Sequence, residues 1–253
     1  MARTITVLLV LAAIAGGSVA AAGPAAAAGP NCRVQNAALG ASYGPDTGVA
    51  LSTAIAAARA GDRLVVSGTC TGNYDVTTDL TIAGLHPGAR RPVLDGGGAG
   101  SVLLVDFATV TLTDVVVTHG QTGIDNFGTL KATRLLVRDN TTVGSGGGIL
   151  NSGFLTLVRS TVAGNRSTLN DGGGIWNNGT LVTWSTRISG NTAANAGGGL
   201  LNEEIAVLHG STITGNTATF GGGIFATFGG SSIPTLDHTT VTGNHPDDCA
   251  PAC

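Results

Sequence analysis

Apolar positions along this chain recur in a fixed repeat. Gly-Gly-Gly followed by an aliphatic residue occurs four times, at Gly146–Ile149, Gly172–Ile175, Gly197–Leu200 and Gly221–Ile224, with starts 26, 25 and 24 residues apart. Each unit closes on Gly-Asn, at Asn165, Asn191, Asn216 and Asn244, and Asn140 lies 25 residues before Asn165. A fixed period of this length marks a solenoid or a propeller. Inside one unit, GGGILNSGFLTLVRSTVAGN, three very short strands (GIL, FLTL, STV) are separated by Gly, Asn and Ser turns. A propeller blade needs about 40 residues and four longer strands. Three strands in about 25 residues instead fit one coil of a parallel β-helix, each coil stacking on the next at ~4.8 Å.

The alternation says which residues face inward. Val162, Ile188, Ile213 and Val241 share one position of the repeat, with Ser160, Thr186, Ser211 and Thr239 two residues earlier. A period of two puts both columns on the interior face. Ile149, Ile175, Leu200 and Ile224 form a third interior column. Asn126, Asn151, Asn177 and Asn202 align in one turn, and Asn165, Asn191, Asn216 and Asn244 in another. Stacked amides can bond from coil to coil and satisfy buried turn groups.

The segment before the repeats reads as a cap. Residues 49–60 (VALSTAIAAARA) are Ala-rich with Leu51 and Ile55 at helical spacing, and Gly61-Asp62 stops them. An open solenoid end needs such a cover. LVVSGTC and DLTIAG then supply the first strands. Together these features predict an all-β, right-handed parallel β-helix over residues 49–245, with about seven coils and an N-terminal capping α-helix. Residues 29–48 are expected to form an irregular arm and residues 246–253 a short closing tail.

The N-terminus has the three parts of a secretory signal: Arg3, an apolar run ITVLLVLAAIA, and small residues ending at Ala28. Ala26-x-Ala28 is the expected cleavage site, so residues 1–28 are read as a signal peptide. An uncleaved anchor is the alternative, although the run falls short of the ~20 residues a span requires. Export makes the four cysteines candidates for two disulfides, with three possible connectivities. The pairing Cys32–Cys70 with Cys249–Cys253 would staple one end each. A metal role for them has little support, because no CxxC occurs and no His stands at ligand spacing beside them. The expectation is a secreted, extracellular monomer with no membrane span in the mature chain.

Composition narrows the function classes. Only 27 of 253 residues are charged, and the net charge is −3. That excludes a nucleic-acid binder working by phosphate neutralisation. Forty-one glycines and many β-branched residues agree with short strands and tight turns.

Two segments carry a family resemblance. Leu51–Gly84 with its helix-GD-LVVSGTC-DLTIAG run, and Pro92-Val-Leu-Asp-Gly-Gly-Gly98, resemble the entry of pectate lyase-like β-helices. The GGGI/L-x-N and STV-x-GN units are similar to repeats of polymorphic outer-membrane-type proteins and of secreted bacterial β-helix repeat proteins. The resemblance spans about residues 49–245. It implies the fold, and it implies functions from polysaccharide lyases and hydrolases to adhesins. Under the lyase alternative it also implies Ca²⁺ bound by outward acids beside a basic residue; otherwise no cofactor is expected.

Candidate chemistry is sparse. Glu203-Glu204 is one isolated acidic pair, and Thr118-His-Gly120 lacks carboxylate partners in sequence. Asp237-His238 looks like a lyase strand motif, but Asp237 shares its repeat position with Val158, Trp184 and His209. His209 and Asp237 should therefore be neighbours, with Arg159 and His238 at the next position. A carboxylate beside an imidazole can orient it and raise its pKa. These three residues, His209, Asp237 and Arg159, are the catalytic candidates.

Leu150, Trp176, Leu201 and Phe225 follow the interior column by one residue and should point outward as an apolar stripe, continued by Asp125. Contiguous apolar surface marks a contact face for a polysaccharide or cell-surface partner. The balance favours a binding or structural role over a carbohydrate-active enzyme. The outward hydroxyls Thr161, Thr212, Thr214, Thr240 and Thr242 add a polar array that Arg187 interrupts.

Overall fold

A computed structural model describes residues 31–85, 91–227, 232–251 and 253. The expected signal peptide and cleavage site lie outside the described residues. The chain is an all-β parallel solenoid of about seven turns. Each coil visits three sheets in order. One coil runs through Phe154–Val158 in sheet A, Thr161–Ala163 in sheet B and Ile175–Asn177 in sheet C, then returns to sheet A at Thr180–Trp184. Within the stacked coils each strand pairs in parallel with the equivalent strand one coil away, in register: Leu155 faces Leu181, and Leu181 faces Ala206.

The interior columns assemble as the alternation requires. Ile149, Ile175, Leu200 and Ile224 are completely buried, as are Val162, Ile188 and Ile213. Val241 is only half-buried, because its strand is the outermost of sheet B. The serine and threonine column lies at the A–B corner, where each hydroxyl serves the backbone. Ser160 accepts the Leu135 N–H and donates to the Val158 carbonyl; Ser211 accepts the Thr186 N–H.

Both asparagine columns are continuous amide ladders. Along the C–A corner, Asn126 donates to Asn151 (2.6 Å), Asn151 to Asn177 (2.7 Å), and Asn177 to Asn202 (2.6 Å). At the turn after sheet B, Asn140, Asn165, Asn191, Asn216 and Asn244 run in the same sense at 2.9–3.0 Å, ending on Asp248. All but the last are buried. A buried amide without partners is costly, so each coil requires its neighbour's Asn.

The Gly-Gly-Gly triplets are explained by contact. A Cβ on the first glycine, Gly172, would press on Trp176 Cβ at 2.8 Å. One on Gly173 would strike the Thr192 carbonyl group at 2.4 Å, and one on Gly174 the Gly199 oxygen at 2.4 Å. The chain therefore re-enters sheet C too close to the next coil for any side chain.

Two expectations need correction at the N-terminus. Residues 31–48 are not irregular: β1 (Cys32–Asn36) and β2 (Ala41–Asp46) form an antiparallel hairpin, and β1 adds antiparallel to β3 (Asp62–Ser67), the first strand of sheet A. Cys32, Val34 and Asn36 face the core and Arg33 and Gln35 face out, an alternation too short to stand out beside the repeat. The capping helix, α1 (Val49–Ala57), also ends earlier than residue 60. Ala58 is extended, its N–H bonds the Ile55 carbonyl, and the buried Asp62 carboxylate takes the Arg59 N–H (3.0 Å) and the Asn36 amide (2.8 Å). These two bonds hold the Asp62 carboxyl below its usual range. α1 covers the first core layer with Ala50, Leu51 and Ala54. Cys32 is bridged to Cys70 and Cys249 to Cys253, one disulfide near each end.

Candidate functional site

The stripe forms in register. Leu150 faces Trp176, Trp176 faces Leu201, and Leu201 faces Phe225 across sheet C. Their neighbours Ile149, Ile175, Leu200 and Ile224 fill the core, so these four side chains leave by the opposite face. They are not bare. Each lies against the first glycine of its own triplet, and Leu201 is only 3% exposed while the other three are half-buried. The Trp176 indole N–H donates to Glu203 of the next coil (3.2 Å). That bond fixes the ring along the solenoid axis, so Trp176 and Phe225 present apolar surface on either side of a covered Leu201.

Asp125 stands in the same column between Leu104 and Leu150. Ser101 donates to one carboxylate oxygen (2.5 Å), and the other is buried with no hydrogen-bond partner. Burial pushes this carboxyl above the usual range, against the Ser101 bond, which lowers it. An acid raised on folding favours the native state while protonated, so that contribution is lost as pH rises through the folded value. Asp125→Leu should therefore gain about 1 kcal/mol or more at pH 7. The gain should shrink near pH 4, as read by chemical denaturation at both pH values.

The predicted column on sheet A also assembles. The Trp184 and His209 rings stack with centroids 3.8 Å apart and 13° between planes. His209 Nδ1 lies 2.9 Å from one Asp237 oxygen and His238 Nδ1 2.5 Å from the other. Bonds to both imidazoles, His209 first, hold the Asp237 carboxyl below its usual range. The arrangement can orient two imidazoles and hold a planar ring. Arg159 does not join it. Its position lies one coil before Trp184, whose carbonyl accepts its backbone N–H (2.8 Å), and the Trp184 coil separates it from His209. Among the described residues no group of three or more His, Cys, Asp or Glu is placed to hold a metal ion, and no helix is long and apolar enough to cross a membrane.

Arg159 has a different signature. With Asp114, Arg134, Ser185 and His238 it takes a positive φ (49–58°) at the A–B corner, where the third GGG-bearing unit uses Gly210. A non-glycine residue there costs roughly 1 kcal/mol. Arg159→Gly should raise stability by about that amount, read as a shifted denaturation midpoint.

Two groupings were not read from the sequence. His119 Nδ1 lies 3.0 Å from Asp95 of the preceding coil, so the His of Thr118-His-Gly120 does have a carboxylate partner. Its spacing falls outside the GGG repeats, where no alignment pointed to it. The other is a cluster of exposed phenylalanines, Phe107, Phe127 and Phe154, at the C–A corner. Aromatic spacing along the chain was the available signal, but an extra residue at Phe107 breaks the register. In comparisons with protein-family models, curated proteins and solved structures, nothing matches this chain.

Proposed function

We propose that the protein is exported and acts outside the cell as a binding or structural solenoid of the pectate lyase-like kind, with similarity to the polymorphic outer-membrane-type repeats. Its contact face is sheet C. The observation that carries this reading is the outward column Leu150–Trp176–Leu201–Phe225, in which the Trp176 ring is fixed by Glu203 on a face of short, regular turns. One residue per coil at ~4.8 Å spans ~15 Å over four coils, which suits a polysaccharide or the flat surface of a cell-wall component. Aromatic side chains give rigid contact area at low entropic cost.

The test is a polysaccharide and cell-surface binding screen with Trp176→Ala. Losing the indole should cost ~2 kcal/mol or more of binding. Unfolding stability should fall far less than for a core aromatic, because the ring is half-exposed. Binding that survives the substitution would remove the stripe from the contact.

A second reading, a polysaccharide lyase or hydrolase, is favoured by one observation: Asp237 is held between two imidazoles beside a stacked Trp184. An activity screen on acidic polysaccharides with and without Ca²⁺ separates the two. Turnover abolished by His209→Ala or Asp237→Ala would establish the enzyme.

A further inference from the structure

We propose a second binding site, for a neutral saccharide of one or two rings, in the groove formed by Phe107, Phe127 and Phe154. It goes beyond the sheet C face and does not depend on it. The groove has a volume of 300 Å³ and is completed by Ala108, Thr109, Gly128, Thr129, Ser152 and Gly153. Three features point to a ligand and to its class.

The first is exposure. Phe107 is 88% exposed, Phe154 63% and Phe127 42%. Half of the protein's six phenylalanines thus stand in solvent on three successive coils at one corner. Scattered apolar residues need no explanation, but a cluster does.

The second is backbone geometry. The turn Phe127-Gly128 joins Asn126 to Thr129, whereas the preceding coil spends Asp106-Phe107-Ala108 between Val105 and Thr109. The extra residue is Phe107, at φ 52°. A bulky side chain in the left-handed region is a true outlier, and a one-residue bulge re-aims a side chain. Strain of this kind that turns a large ring outward stabilises nothing in the coil itself, and such strain gathers at ligand sites.

The third is chemistry. No charged side chain lines the groove. The hydroxyls of Thr109, Thr129 and Ser152 have no hydrogen-bond partner among the described residues. Gly128 and Gly153 close the floor, since a Cβ on either would lie 2.1–2.3 Å from the carbonyl oxygen of the coil before. Rings that cover C–H faces, free hydroxyls and no charge complement an uncharged sugar. A phosphate or a uronic acid would find no cation. The volume lies at the lower edge of the ~300–1,000 Å³ of small-molecule sites, which sets the length at one or two rings.

The experiment is saturation-transfer NMR and calorimetric titration of the full chain with cellohexaose, mannohexaose and xylohexaose, with an oligogalacturonate as acidic control. At least one neutral oligosaccharide should bind. Phe154→Ser and Phe107→Gly should each weaken it about ten-fold or more. Phe107→Gly should at the same time raise stability, because it relieves the left-handed residue, so lost binding cannot be ascribed to unfolding. Leu169→Ser, at an exposed apolar residue outside both the groove and the sheet C column, should leave the affinity unchanged; binding that survives the phenylalanine substitutions and falls only with Trp176→Ala belongs to the sheet C face. The proposal is overturned if no neutral oligosaccharide binds at millimolar concentration, if only the acidic control binds, or if the phenylalanine substitutions leave binding intact. It is equally overturned if they abolish a dimer seen by sedimentation, which would make a second copy the occupant.

Discussion

Asn191→Ala should destabilise the protein by about 3 kcal/mol or more, measured by denaturant unfolding, although it removes only a carboxamide. Asn191 is completely buried. Its oxygen accepts both the backbone N–H and the side-chain amide of Asn165 (2.9 and 3.0 Å), while its own amide donates to Asn216 (3.0 Å) and to the Val162 carbonyl (3.0 Å). Alanine strands the buried Asn165 N–H in the coil before and takes one bond each from the Asn165 amide and the Val162 carbonyl, while the Asn216 oxygen keeps the backbone N–H of residue 191 (2.9 Å). Each orphaned group costs roughly 1–3 kcal/mol, and the partners cannot turn to solvent. Asn191→Asp is the informative companion. It keeps the acceptor but loses the donors to Asn216 and Val162, and it places a charge between amides. It should rescue little at pH 7, and more once the carboxyl is protonated. A loss below 1 kcal/mol for the alanine variant would mean that the ladder is replaceable by water.

Gly173→Ala should be more damaging still, preventing soluble expression or leaving a chain without cooperative unfolding. The added methyl would sit 2.4 Å from both the carbon and the oxygen of the Thr192 carbonyl group and 2.8 Å from the Gly198 oxygen. These are backbone atoms already engaged in coil-to-coil bonds: the Gly198 oxygen accepts the Gly174 N–H and the Gly197 oxygen the Gly173 N–H. Relief therefore means separating two coils rather than turning a side chain, and close-packed interiors resist such shifts. Gly190→Ala is the control. Its φ is 63°, but the nearest atom to a new Cβ is 4.0 Å away. Only the left-handed penalty of ~1 kcal/mol applies. Equal behaviour of the two variants would refute the steric account of the triplet.

The repeat made the solenoid legible because its columns are one-dimensional. A residue's neighbours are the residues one period away, so aligning GGGI with GGGL already places Ile175 on Leu200 and Asn177 on Asn202. The same logic placed His209 beside Asp237 and Trp176 between Leu150 and Leu201. It failed where the period is absent. The hairpin of β1 and β2 runs antiparallel and has no repeat partner, so Cys32–Val34–Asn36 offered only five residues of alternation. Exposure also escaped it. Alternation states that Leu201 points outward, but not that Gly197 and the neighbouring coil cover it. Nor does it state that the extra residue before Thr109 throws Phe107 into solvent. Those facts depend on turn conformation, which a hydrophobic pattern does not encode.

The N-terminal hairpin also governs how copies of this molecule can meet. Two solenoids joined head to tail must continue each sheet in parallel, and such heterologous contacts propagate without limit. At the N-terminal end the outermost strand of the largest sheet is β2, which runs against the others and carries Pro45, a residue with no N–H to offer. An incoming coil finds no parallel template there. The opposite end keeps unpaired strands, Thr235–Asp237 and Thr240–Thr242, at the edges of sheets A and B. In sheet A parallel extension is therefore left to that end, whereas sheets B and C keep edge strands at the N-terminal end as well, Thr69–Thr71 and Tyr74–Val76. Head-to-tail growth through sheet A is thus blocked at β2, and deletion of residues 31–46 would uncover β3 as a parallel template.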